Sequence, residues 1–498
     1  MQAMVMDTIV SIRPLLAVLV SLLVVPLIIW SNRTPNVREA WTFAAAGIKF
    51  FIVLSMLPLI LSGNQLEYTI VEVLPEIAIR LRVDAMGMLL ALVSSFLWIV
   101  TSLYSVGYMR ALQEHSQTRY FCFFALSLSA TIGVAFSANM LTLYLFYEML
   151  SLSTYPLVTH HQDEKARSSG RKYLFFILGT SIGMVLPAMI FIAHKTGTLE
   201  FSSQGIIADK IDPQMATLLL IILVFGFAKA AIMPFHAWLP AAMVAPTPVS
   251  ALLHAVAVVK VGVFSIARII TGVFGTGLMN DLDLSTIVCV IAAFTILTSS
   301  LIALSQDELK RRLAFSTVSQ LSYIVLGVAL LSQSGMVGGL LHIAMHAFGK
   351  ITLFFCAGAV FVATGVTNIS QMVGIGKRMP FTMSAFFIGA MSVIGLPPSG
   401  GFISKWHLAV GTVEAGQMTM LVILLSSSLL NAAYFLPVIY HSFFCTPEEA
   451  MFADKKGEAP LWCLVPLMLT AGLSVALFFY PQPFLTLARI AVQAITGG

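Results

Sequence analysis

Apolar stretches of roughly 18 to 25 residues recur along the whole of this 498-residue chain, separated only by short polar loops. Each is long enough to cross a hydrocarbon core of about 30 Å as an α-helix. In that solvent every backbone N–H and C=O must find its partner inside the segment, which a continuous apolar run achieves as a helix. Composition agrees. Only 10% of the residues are charged, against about 25% in soluble domains, and the mean hydropathy is +0.94. The expected fold class is an all-α polytopic membrane protein.

Fourteen spans are predicted, at roughly 10–30, 42–61, 85–107, 119–136, 139–158, 173–194, 215–233, 249–271, 285–304, 313–331, 337–363, 381–409, 419–441 and 461–480. The longest connections, Ser62–Val83 and Lys195–Gln214, read as loops of about 20 residues, too short for a soluble domain. Alternate loops differ in Lys and Arg: fifteen, among them Arg110, Arg119, Lys165, Lys310, Arg311, Lys455 and Lys456, against six. The richer set is expected in the cytoplasm, with both termini outward. The first stretch, from about Leu15 to Trp30, lacks a basic leader and a small-residue cleavage site and reads as a retained helix.

The net charge of +5 is dispersed, which argues against a nucleic-acid partner. Cys122, Cys289, Cys356, Cys445 and Cys463 are scattered without Cys/His ligand spacing, supporting neither a disulfide framework nor a metal site. No ligand set for haem or iron–sulfur is present, so no cofactor is expected.

Inside the apolar spans stand Glu148, Lys229, Lys260, Lys350 and Lys405. Each costs about 2.5–3.5 kcal/mol at a helix centre, so such groups normally face a bundle interior and mark an ion path. Snorkelling of a Lys near a helix end is the bland alternative. Glu148 is expected to pair with Lys229, each partner setting the other's proton affinity. His342, His346 and Lys350 follow at i+4 steps and stripe one helix face. A lone membrane histidine is more often a packing residue, but three aligned titratable groups are harder to dismiss. His254, six residues before Lys260, and His236 are further titratable sites.

Two spans are broken beside a buried Lys. One runs from Gly226 through Lys229 to Pro234 and Pro240; the other has Gly395, Pro397, Pro398, Gly400 and Gly401 before Lys405. Proline removes a backbone donor and clashes with the preceding turn, and freed carbonyls at membrane depth are tolerated only under protein cover or in a wet cavity. The breaks lie five spans apart, which predicts two inverted five-helix repeats, spans 4–8 (119–272) and 9–13 (285–441). Residues 1–118 would supply the first three helices and 460–498 the fourteenth.

The run Lys229-Ala-Ala-Ile-Met-Pro-Phe-His-Ala-Trp-Leu-Pro, followed by Ala245-Pro-Thr-Pro-Val-Ser-Ala-Leu-Leu-His254, resembles the signature of the antiporter-like subunits. These are shared by respiratory complex I, membrane-bound hydrogenases and Mrp-type multisubunit cation/proton antiporters. The resemblance implies fourteen helices with an inverted repeat and a proton path. On that path Glu148 and Lys229 would form a regulated pair, Lys260 a central relay and Lys405 the terminal site, with the His342–Lys350 stripe joining the halves. Length, Lys405 and the Gly395–Lys405 run look most like the D-type member of the Mrp antiporters. A multisubunit Na⁺/H⁺ antiporter in a bacterial or archaeal cell membrane is therefore the leading expectation, with small membrane subunits as partners. The proton-pumping arm of a complex I-like oxidoreductase or a hydrogenase is the alternative, and a scaffold that no longer conducts ranks last.

Overall fold

A computed structural model describes residues 7–74, 77–445 and 457–497; Lys455 and Lys456 of the basic set lie outside them. The first six helices are α1 (Arg13–Trp30), α2 (Pro35–Leu61), α3 (Ala85–Ala111), α4 (Gln117–Ala135), α5 (Met140–Val158) and α6 (Glu164–Thr196). Next come α7 (Pro213–Gly226), α8 (Thr247–Asp281), α9 (Leu284–Leu304), α10 (Leu309–Ala329) and α11 (Gln333–Thr364). The series ends with α12 (Pro380–Ile394), α13 (Gly400–Glu414), α14 (Met418–Phe444), α15 (Leu461–Phe479) and α16 (Gln482–Thr496). The protein is an all-α polytopic membrane protein.

Eleven of these helices are long and apolar enough to cross a membrane. The other three of the fourteen expected spans hold Glu148, Lys229 and Lys405. Span five is α5, whose apolar run is diluted by Glu148 and several hydroxyls. Span seven is α7 plus a short 3₁₀ turn at Ala228–Ala230, and span twelve is divided between α12 and α13. Gly400 and Gly401, expected within that second break, instead form the first turn of α13; the break itself is Gly395–Ser399.

Polar caps mark where several helices begin. The side chains of Asp84, Asn139, Asp163 and Asp212 accept from the backbone N–H three residues on, in α3, α5, α6 and α7. Burial then sorts the helices. The most apolar window of α8 is 100% buried and that of α10 94%, against 33% for α1 and α2. The inner helices are therefore the ones that can carry ionisable groups away from lipid.

Two segments depart from expectation. Ser62–Val83, read as a loop, holds β2 (Gln65–Leu74) antiparallel to β3 (Ile77–Val83), and β2 also pairs in parallel with β1 (Thr8–Val10). Its signal is a period of two in runs too polar to span a membrane, which a search for apolar stretches passes over. Ion pairs from Arg82 to Glu67 and Glu200, and from Arg80 to Glu200, tie the strands to the bundle. The region after span fourteen forms an amphipathic helix, α16, lying against α3 and α11.

Candidate ion path

Side chains partner freed backbone groups at both breaks, as membrane depth favours. At the first, the Trp238 indole donates to the carbonyl of Ala228 at 2.9 Å, and Thr295 Oγ1 accepts from the N–H of Met233. At the second, Lys405 Nζ donates to the carbonyl of Ile394 at 3.0 Å. Glycines let the chain approach closely at both. A Cβ on Gly262 of α8 would stand 2.1 Å from the nitrogen of Ala230, and one on Gly401 would stand 1.8 Å from the Ser392 carbonyl oxygen. Ala231, next to the 3₁₀ turn, takes a left-handed φ of 56°, a strained setting for a residue with a Cβ.

Lys229 is fully buried in that turn. Its Nζ donates to the carbonyl of Tyr147 at 2.7 Å and to Ser151 Oγ at 2.6 Å, and lies over the Tyr147 ring. Glu148, its expected partner, is within 4.0 Å of no basic group among the described residues, and both its shielded oxygens accept no hydrogen bond. Geometry explains the open pair. Positions 147 and 151 share one face of α5 and 148 is rotated about 100° from 147, so a lysine reaching along that face meets the carbonyl and hydroxyl first.

A file of polar groups runs from the first half into the second with one gap, since His346 Nε2 has no hydrogen-bond partner among the described residues. Lys260 Nζ on α8 lies 2.7 Å from His346 Nδ1 on α11. The His346 ring stands 5.6 Å from that of His342, whose Nδ1 faces Ser404 Oγ at 2.8 Å and whose Nε2 faces Gln320 Oε1 at 3.1 Å. With its oxygen turned toward both donors, the Asn431 amide accepts from Gln320 Nε2 at 3.1 Å and from Lys405 Nζ at 3.2 Å. Lys405 also donates to Ser428 Oγ and lies over the Tyr323 ring. Lys350 sits beside the line, donating to Ser316 Oγ at 2.8 Å. His254 packs on Phe354, and neither of its ring nitrogens has a hydrogen-bond partner among the described residues. No hydrogen bond among the described residues joins Lys229 to Lys260.

Sequence reasoning missed four members of this polar interior. Gln320, Ser404 and Asn431 are uncharged, and a scan for ionisable groups passes over them. Lys49 was missed within α2: it is fully buried, and its Nζ donates to Ser21 Oγ at 2.5 Å and to the carbonyl of Leu128 at 3.1 Å. Two cavities open at opposite ends of the bundle. One of 540 Å³ is lined by His161, Lys165, Lys172, His236 and Lys310, the other of 360 Å³ by Arg82, Asp84, Ser203 and Arg268. Groups that titrate or hydrogen-bond in file across an apolar interior are what a proton relay requires.

The family described as NADH:quinone oxidoreductase/Mrp antiporter, TM, matches residues 137–431, which hold every ionisable group of the path. The chain is 33% identical over 424 residues to NADH-quinone oxidoreductase subunit N of Desulforudis audaxviator (strain MP104C), covering 82% of this chain and 83% of that one. It is 29% identical over 476 residues to Na(+)/H(+) antiporter subunit A1 of Staphylococcus aureus (strain JH9), covering 90% of this chain but only 58% of that relative's length. A chain in the structure of the Mrp complex from Dietzia sp. DQ12-45-1b superposes with a TM-score of 0.86 at 22% identity, over 97% of this chain and 96% of that one, a likeness of fold.

Proposed function

The chain belongs to the NADH:quinone oxidoreductase/Mrp antiporter membrane family, and from that premise we propose that it conducts protons as one subunit of a multisubunit monovalent cation (Na⁺)/H⁺ antiporter. The observation that carries the reading is the polar line from Lys260 through His346, His342, Gln320 and Asn431 to Lys405. Buried polar groups of this number are expensive in a membrane interior, and a proton path is what gives their placement in file a use.

At 2.7 Å, either Lys260 Nζ or His346 Nδ1 can hold the shared proton. His342 passes it on by turning its ring between Gln320 and Ser404, and Lys405 receives it beside the second break. Lys229 acts upstream. Paired with Glu148 it keeps its proton; drawn away onto the Tyr147 carbonyl and Ser151 Oγ, where it now sits, it gives that proton up toward the second half. Glu148 is the one carboxylate of the proposed path, and hard cations take several oxygen ligands. The cation is therefore assigned to partner subunits, and the D-type member of the Mrp antiporters fits Lys405 and the Gly395–Lys405 run. A redox-driven complex is the second reading, supported by the extent of the match to the quinone oxidoreductase relative.

The test is cation-driven acidification in vesicles holding the complex purified with its partners. Lys260→Ala should lower the proton flux by at least about a hundredfold, the scale set by loss of a positioned acid–base group. Full flux in an assembled Lys260→Ala complex would sink the relay. Co-purification with redox subunits, and flux only when a reductant is added, would decide for the second reading.

A further inference from the structure

Outside the membrane spans, two loops far apart in sequence bring a carboxylate and three imidazoles together. Glu114 and His115 lie between α3 and α4, His160 and His161 just after α5. Glu114 Oε2 is 3.8 Å from His115 Nδ1, 3.7 Å from His160 Nε2 and 3.9 Å from His161 Nδ1. The donor atoms of Glu114, His115 and His160 all lie within 4.8 Å of one another. We propose that Glu114, His115 and His160, with His161 as a fourth donor, form a binding site for a divalent transition cation of the Zn²⁺ type.

Three observations point to that ligand. The first is His160 itself, whose side chain is 0% exposed and whose two ring nitrogens have no hydrogen-bond partner among the described residues. A buried polar group left unpartnered in this way calls for a ligand. The second is the tautomer of His115: its Nε2 faces the carbonyl of His160 at 3.0 Å, an acceptor only. The proton is thereby fixed on Nε2, and the lone pair of Nδ1 is left facing Glu114. Metal-bound histidines are oriented by this kind of hydrogen bond through the far nitrogen. Arg119 donates to the same carbonyl at 2.7 Å, so the loop backbone is pinned by two donors.

The third observation is spacing. Ligands about 2.0–2.1 Å from a tetrahedral Zn²⁺ are roughly 3.3 Å apart, so the separations of 3.7 to 3.9 Å from the carboxylate would close by about half an ångström, and the widest in the Glu114, His115 and His160 set, up to 4.8 Å, by about 1.5 Å. Three neutral nitrogens and one carboxylate suit a borderline transition cation and not Ca²⁺ or Mg²⁺, which take oxygen ligands. Glu114 and His161 also line the 540 Å³ cavity, which gives the ion a way in. Sequence spacing offered no hint of the site, because its ligands come from loops about 45 residues apart. The bound ion would clamp the α3–α4 loop to the end of α5, at the mouth of that cavity.

The experiment uses the full-length protein, stripped with chelator and titrated with Zn²⁺ and Co²⁺ against a chromophoric competitor. One tight equivalent per chain is expected, with Co²⁺ giving the intense visible absorption of a tetrahedral site. Because His115 is half exposed, His115→Ala should fold normally and weaken binding by more than about tenfold, at least the loss seen when a ligand's supporting partner is removed. Glu114→Gln should do the same. Equal affinity in wild type and both variants, no tight equivalent, or an octahedral Co²⁺ spectrum would overturn the assignment.

Discussion

A lysine in a membrane interior serves proton transfer or packing, and its neighbours decide which. Lys260 faces His346, a group that titrates, and through it a line of further acceptors. Lys49 is as deeply buried but reaches only a serine hydroxyl and a backbone carbonyl, under the face of Trp98. No titratable side chain among the described residues stands within hydrogen-bond reach to take its proton onward, whereas Lys229, held by a similar pair of partners, has Glu148 next in sequence to Tyr147. Lys49→Met is therefore expected to leave cation-driven proton flux at the wild-type rate in assembled complex, where Lys260→Ala should lower it by at least about a hundredfold. A loss of flux in both variants would mean that burial alone, and not the identity of the partner, marks the path. Which residues stand inside the spans was legible in the sequence, because charge in an apolar run is conspicuous. Which of them touch was not: Lys260 and His346 are 86 positions apart, and Glu148 and Lys229, paired in expectation, stand apart because Tyr147 and Ser151 share the helix face that Lys229 reaches.

At the scale of elements, the broken spans rest on close backbone approach. A Cβ at Gly401 would press on the Ser392 carbonyl that packs against the first turn of α13. Gly401→Ala should lower stability by about 3 kcal/mol, the upper end of overpacking costs, read as a fall in thermal midpoint in detergent. Gly472→Ala on α15, where a Cβ meets nothing within 4 Å, is the control and should leave the midpoint unchanged or slightly raised. The strand pair makes a different prediction through Asp84, which begins α3 and takes a two-pronged contact of 2.5 and 2.6 Å from Arg268. Burial pushes the Asp84 carboxyl up, but Arg268, the Gly87 N–H and Arg82 together hold it below the usual carboxylate range. A depressed carboxylate gives stability that is full above the unfolded value of about 3.9 and is lost as pH falls through the folded one. Asp84→Asn, which leaves a mostly buried Arg268 unpaired, should cost roughly 3 kcal/mol near neutral pH. The gap from wild type should narrow as the pH drops below about 4; a gap that stays constant in acid would show that the pair does not titrate. Proline and glycine announced both breaks in the sequence, whereas the strands hid in segments that an apolar-span reading assigns to loops.

For the whole molecule, the remaining question is which end faces which side. The two cavities lie toward opposite ends of α3, Asp84 at its start and Tyr108 near its finish. A helix of 27 residues is about 40 Å long, more than the roughly 30 Å of hydrocarbon it must cross, so the cavities open to different compartments. The larger one is ringed by Lys165, Lys172, Lys310 and Arg311, members of the basic loop set that the charge bias assigns to the cytoplasm. Ser169 lines that cavity and Ser203 the other, which makes the pair a direct test. In right-side-out vesicles, a membrane-impermeant thiol reagent should label Ser203→Cys and spare Ser169→Cys; in everted vesicles the pattern should reverse. Cys122, Cys289, Cys356 and Cys463 are buried, so background reaction falls mainly on Cys445, which is replaced by Ser in both variants. The opposite pattern would turn the molecule over and place the basic cavity outside. Lys405 would then lie at the end of a path running the other way, although every contact from Lys260 to Lys405 stayed as it is. Labelling of both cysteines from one side would instead mean that the cavities share a compartment, and a path with one opening to each side would have no second mouth.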